Sequence, residues 1–232
     1  MALRRAVIML SLALAGLALF GCPGSRKSTS AGSVSERPGV VRGDKVLVDA
    51  YLFDMKVRDR KSRRTVRMDI YFADTIALIT GRAYLGKGVG RGVWRPDSAL
   101  FYFPTENEYY AGRLDRISDA GCLEDGPLQS SLSALFSGDI ERVRLIEGLT
   151  VTQESDRRFE AELILGNCPG PLKLTFDTPG GAGRFYLKKF EYRGKDGKSV
   201  IKAKRRTIRL AREFDLRRFN LDIPGDALRL DW

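Results

Sequence analysis

The chain has 232 residues, a formal net charge of +11 and no histidine. Without histidine it can build neither a Ser-His-Asp nor a Cys-His catalytic group, and no His-ligated zinc site. Its three cysteines are Cys22, Cys122 and Cys168; two thiolates beyond the leader, with no imidazole, are too few for a structural metal site.

Arg4 and Arg5 open the chain, and Ala6 to Leu19 follows without a charge. That apolar stretch is shorter than the roughly 20 residues that span a bilayer core. A basic start, an apolar run of this length and small residues at its end predict an export signal over residues 1–21. The end itself, Leu19-Phe20-Gly21-Cys22, resembles the lipobox of bacterial lipoproteins. That resemblance implies a lipid thioether on Cys22 and cleavage before it, and so a membrane-anchored, water-soluble mature chain. An ordinary secretory signal with a chance cysteine, or a signal anchor, is the competing reading. Pro23 stands where inner-membrane lipoproteins of two-membrane bacteria carry Asp, which resembles an outer-membrane address facing the periplasm.

Removal of residues 1–21 takes Arg4 and Arg5 with it and leaves 211 residues with a charge of +9. A surface of that sign suits phospholipid or lipopolysaccharide head groups or an anionic wall polymer, unless it is merely solvated. Export argues against a nucleic-acid partner. In an oxidising compartment Cys122 and Cys168 are expected to form one disulfide, with two buried free thiols as the alternative.

Residues 22–43 are rich in Ser, Gly, Pro and charge and read as the lipidated Cys and a flexible tether. A single β domain is expected over 44–232. Phe53 to Arg58 and Val66 to Phe72 alternate apolar and polar residues, with Val66, Met68, Ile70 and Phe72 on one face; period two predicts half-buried strands. Asp59 to Arg64 is a charged hairpin connection. Ile76 to Thr80 is a further strand, and Gly86 to Gly92 a flexible glycine bend, because it lacks the Lys-Ser/Thr of a phosphate loop. Ser98 to Pro104 and Glu108 to Gly112 flank a turn.

Pro127 to Ser137 carries Leu128, Leu132, Leu135 and Phe136 as an apolar stripe, with Pro suited to a helix start and Gly138 to its end. Arg113 to Ser118 is a weaker helix. Strands follow at Leu149 to Glu154, Arg158 to Leu165, Leu172 to Asp177, Arg184 to Arg193 and Ser199 to Leu210, with Phe219 to Ile223 closing the fold. The expected class is mainly β with inserted helices: an antiparallel sheet of about nine or ten strands.

The order of these elements resembles the LolA/LolB-like lipoprotein-carrier superfamily, in particular its DUF4292-type lipoproteins. The resemblance is carried by Phe53, Val66 to Phe72, Ile76-Ala77-Leu78-Ile79 and Gly88 to Val93. It continues through Pro96-Asp97-Ser98, Glu108-Tyr109-Tyr110-Ala111-Gly112, Leu128 to Phe136 and Phe219 to Pro224. It implies a curved, half-open antiparallel sheet, an incomplete barrel, whose apolar concave face is closed by a helical lid and takes acyl chains or lipoproteins. The receptor branch of that superfamily uses a protruding apolar loop; here Phe101 and Phe103 lie in a strand and Trp94 adjoins Arg95, so no such loop is evident.

Val66, Met68, Ile70, Phe72, Leu128, Leu132, Leu135 and Phe136 are the candidate cavity lining, and an ordinary filled core is the alternative for each. Glu106, Glu108 and Asp115 lie close in sequence, but nothing brings two of them to one substrate. No enzyme activity, cofactor or metal is expected. The expected roles are lipid or lipoprotein carriage at the envelope, or non-catalytic docking of an envelope protein partner or anionic polymer through a basic sheet surface.

Overall fold

The structure, a computed structural model, describes residues 41–58, 62–83, 88–95, 98–112, 128–164, 170–179, 183–194 and 198–230. These residues form one open, curved, mainly antiparallel sheet that does not close into a barrel. The strands are β1 (Val41–Arg42), β2 (Lys45–Arg58), β3 (Arg63–Ala73), β4 (Ile76–Ala83), β5 (Gly88–Trp94), β6 (Ala99–Phe103) and β7 (Glu108–Gly112). After two helices come β8 (Leu149–Ser155), β9 (Arg158–Leu163), β10 (Leu172–Asp177), β11 (Tyr186–Arg193), β12 (Val200–Asp215) and β13 (Leu228–Arg229). The spatial order is β13-β7-β6-β5-β4-β3-β2-β12-β11-β10-β9-β8, with β1 beside β2. Among the described residues only β13 runs parallel to its neighbour. Long β12 therefore joins the meander β2–β7 to the meander β8–β11.

Alternation decides which face is dry. Across β2 and β3, Tyr51 stands opposite Ile70, Phe53 opposite Met68 and Met55 opposite Val66. All six are buried in one core that extends to Phe159 at one side and Tyr110 at the other. We call this the inner face. The outer face is divided. Its end near the chain start is apolar, where Val46, Val48, Leu78 and Val93 meet Phe214 and Phe219. Phe219 ends a 3-10 turn (Leu216–Phe219), capped by the Asp215 carboxylate, which accepts from Arg217 N at 2.8 Å. The rest of the outer face is charged.

Two expectations from the sequence are corrected. The glycine run is not a bend: Gly88–Trp94 is strand β5, paired on both sides. The glycines make space. A Cβ on Gly92 would overlap the Phe101 ring on the neighbouring strand, and Gly90 sits opposite Gly81. Phe219 to Ile223 is likewise no strand. The Asp215 cap starts the 3-10 turn instead, and the closing strand is the two-residue β13 further on. The sheet also has more strands than the nine or ten expected, since β1, β5 and β13 join those read from the sequence.

β12 bends by register shifts between Arg205 and Thr207 and between Arg209 and Arg212. At the second, Ala211 takes φ 49°, and its N–H donates to buried Asp49 Oδ1 at 3.0 Å. Near the first, Arg205 turns its buried side chain onto the carbonyls of Tyr186 (3.1 Å) and Leu187 (2.9 Å) and onto Asp177. A charge at an inward register position is thus paired with three acceptors, one of them a carboxylate.

On the outer face Glu191 takes ion pairs from Lys202 and Arg193 (2.9 Å each) and Lys189 (3.3 Å). Burial alone would raise its pKa, but the hydrogen bonds from Lys202, Arg193 and Lys189 outweigh it and hold the carboxyl at about 2. The folded value lies below the unfolded one, so this stability is present above pH 4.5 and is lost as pH falls through about 2. With allowance for the solvated lysines, the loss is on the order of 2 kcal/mol. Urea denaturation across this range should show it, and Glu191→Gln should flatten that limb of the profile.

Candidate functional site

The inner face is an apolar surface to which ten strands contribute, mostly through alternate residues. Of the eight candidate lining residues, Val66, Met68, Ile70 and Phe72 supply its middle from β3, and Leu132, Leu135 and Phe136 reach it from above. Only the Leu128 side chain lies outside the described residues. Met68, Ile70 and Phe72 have no solvent-exposed area at all. The helix's own side chains fill the space against this face.

That helix is α1 (Leu128–Phe136), and a short α2 (Ile140–Arg144) follows it. Together they are the only helical cover of the inner face among the described residues. The Phe136 ring packs edge-on to Tyr51 at 5.2 Å and tilted on Phe72 at 6.1 Å. Gly138 takes φ +70° to turn the chain, and Asp139 caps α2 by accepting from the amides of Glu141 and Arg142. Arg142 reaches Asp74 at 3.3 Å and Arg144 pairs with Glu154, which moor α2 to the β3–β4 turn and to edge strand β8.

Two polar latches hold the exit of α1. The Tyr51 hydroxyl donates to the Phe136 carbonyl at 2.7 Å, and Arg184 Nη2 donates to the Ser137 carbonyl at 2.6 Å. These occupy helix-end carbonyls that have no partner within the helix. Burial pushes the Tyr51 phenol well above its ordinary range and raises that of Tyr186, so both remain protonated donors. Beside the latches, the Tyr186 hydroxyl and Asp49 Oδ2 are buried without a hydrogen-bond partner among the described residues. Burial raises the pKa of Asp49 accordingly. Each unmet group costs about 1–3 kcal/mol, so the closed end of this face is polar and under-satisfied while its body is apolar.

Such a surface can sequester hydrocarbon. Glu106 lies in the β6–β7 turn and Glu108 begins β7, whereas Asp115 lies outside the described residues. No group of three or more acids or cysteines among the described residues could hold a metal ion. Cys22, Pro23, Cys122, Cys168, most of the tether and the weaker helix Arg113 to Ser118 also lie outside the described residues. The latches escaped sequence reading because Tyr51 and Arg184 sit outside any motif; only the alternation of Tyr51 with Phe53 hinted that Tyr51 faces inward.

No protein-family model matches the chain, and no curated protein matches its sequence. Solved structures do share its outline at low identity. An uncharacterized conserved protein from Thermus thermophilus is 9% identical, with a TM-score of 0.45 over 78% of this chain and 89% of that one. A LolA superfamily protein from Nitrosomonas europaea is 10% identical, with a TM-score of 0.37 over 75% and 90%. A domain described as an outer membrane lipoprotein-sorting protein, from Vibrio parahaemolyticus, is 11% identical, with a TM-score of 0.39 over 75% and 89%.

Proposed function

We propose that this protein is a membrane-anchored carrier that takes an acyl chain, of a lipid or a lipidated protein, between its inner face and α1. The observation that carries this reading is the mismatch between a ten-strand apolar face and the nine-residue helix that closes it. Opening the lid uncovers three large side chains, Leu132, Leu135 and Phe136. At about 2 kcal/mol each, that costs roughly 6 kcal/mol. A guest recovers about 0.8 kcal/mol per buried methylene, so about eight methylenes offset opening and longer chains bind.

In this reading Cys22 carries the lipid anchor and the segment between it and β1 tethers the domain, with Pro23 directing it to the outer membrane; Val41–Arg42, expected in the tether, belong to the sheet. A disulfide between Cys122 and Cys168 belongs to the same proposal.

All buried apolar side chains among the described residues lie between Val46 and Phe219. The chain from residue 23 onward therefore suits a soluble preparation. Purified that way and extracted with organic solvent, it should release acyl lipid by mass spectrometry. Added fatty acids should bind with affinity rising with length and vanish below about eight carbons. Recovery of no lipid, together with no binding of long chains, would overturn the proposal.

A further inference from the structure

The charged part of the outer face carries its cations in directly opposed pairs. Arg58 stands opposite Arg63, Lys56 opposite Lys202, Lys189 opposite Lys204 and Arg67 opposite Arg82. These pairs cover five adjacent strands, β4, β3, β2, β12 and β11. The residues interleaved with them, Met55, Val66, Ala203 and Phe190, point the other way into the core, so the cations share one face.

Like charges directly opposite in a sheet destabilise it. Acids relieve some of this: Asp54 lies 3.9 Å from Arg67, Asp69 bonds Arg82 at 2.9 Å, and Glu191 collects Lys189 and Lys202. Lys56, Arg58, Arg63 and Lys204 have no carboxylate partner among the described residues. Towards β10 the same face sinks into a groove of about 520 Å³, lined by Lys173, Lys189, Lys204, Thr175, Glu160 and Glu162, the last paired with Lys173. An arrangement that weakens the fold, repeated four times on one face, is what an anionic partner would relieve.

We propose that this face docks on a surface of anionic phospholipid head groups. The charges are spread in two dimensions, about 5 Å apart across strands and about 7 Å along them. A single small anion needs donors that converge on one point, and a linear polyanion needs a line of them. Only a surface with laterally distributed charge meets the whole array. The proposal is independent of the acyl reading, since it uses the opposite face of the sheet.

The test uses the soluble chain from residue 23 with vesicles of phosphatidylcholine alone or with an equal part of phosphatidylglycerol. The protein should sediment with the mixed vesicles only, and less so as salt is raised. Each lost cation should lower partitioning about fivefold. Lys56→Gln, Arg58→Gln, Arg63→Gln and Lys204→Gln together should therefore lower it by a factor on the order of a hundred or more. That variant should melt no lower than the parent, because opposed cations have been removed. A control with Arg157, Arg217, Arg218 and Arg229 changed to Gln, away from these pairs, should stay within a few-fold of the parent. Equal binding to neutral vesicles, an equal loss in the control, no loss in the face variant, or preference for soluble dextran sulfate over vesicles would each overturn the proposal.

Discussion

Phe136→Ala should lower the free energy of unfolding by about 3–5 kcal/mol, the usual consequence of removing a buried phenyl ring. The ring is 1% exposed, lies between Tyr51 and Phe72, and sits directly above the hydroxyl that binds its own carbonyl. Its loss removes both aromatic contacts, each worth about 0.5–1.5 kcal/mol beyond area. It also leaves a hole at the inner face with Tyr51 still latching the backbone. Urea denaturation of the soluble chain measures the first effect, and a loss under about 1 kcal/mol would show that the ring does not close the core. Acyl binding should move the other way. A guest entering the variant has one large side chain fewer to displace, so long-chain fatty acids should bind more tightly to a less stable protein. Stability and binding falling together would mean that the helix supports the guest rather than giving way to it.

The inner face was legible because dry and wet residues alternate. Val66, Met68, Ile70 and Phe72 could only share a face if β3 was extended, and the Leu132, Leu135 and Phe136 spacing required a helix. Local signals failed where a partner strand overrode them. Gly88 to Gly92 has poor strand propensity, yet the Phe101 ring needs the space above Gly92, and two glycines oppose each other at Gly81 and Gly90. Phe219 to Ile223 alternates like a strand but follows a capped 3-10 turn. The cation pairs on β12 could not be read at all. Lys189 and Lys204 become neighbours only through the β11–β12 register, and Lys56 and Lys202 only through a pairing between strands more than half the chain apart.

Gly138→Ala should cost about 2–4 kcal/mol, from two causes that can be separated. Gly138 takes φ +70° at the exit of α1, where an L side chain adds about 1–2 kcal/mol of strain. A Cβ there would also stand 2.6 Å from Cε1 of Tyr186. That ring is fully buried, tilted against Tyr51 and overlain by the Arg184 guanidinium, so it has little freedom to withdraw. Were backbone strain the larger part, Gly138→Asn would be milder than Gly138→Ala, since Asn tolerates left-handed backbone. The contact predicts the reverse, because Asn adds atoms beyond Cβ in the same crowded direction. In a Tyr186→Leu background the order should revert, and Gly138→Ala should cost only the strain. Denaturation of the parent, Tyr186→Leu and both Gly138 variants in each background closes the cycles. Gly138 also accepts from Phe185 N–H through its carbonyl at 3.2 Å, so a shift at this turn bears on the segment just before β11 that supplies the Arg184 latch. The substitution should therefore loosen the lid at its fixed end and raise hydrogen exchange in 131–137 ahead of global unfolding.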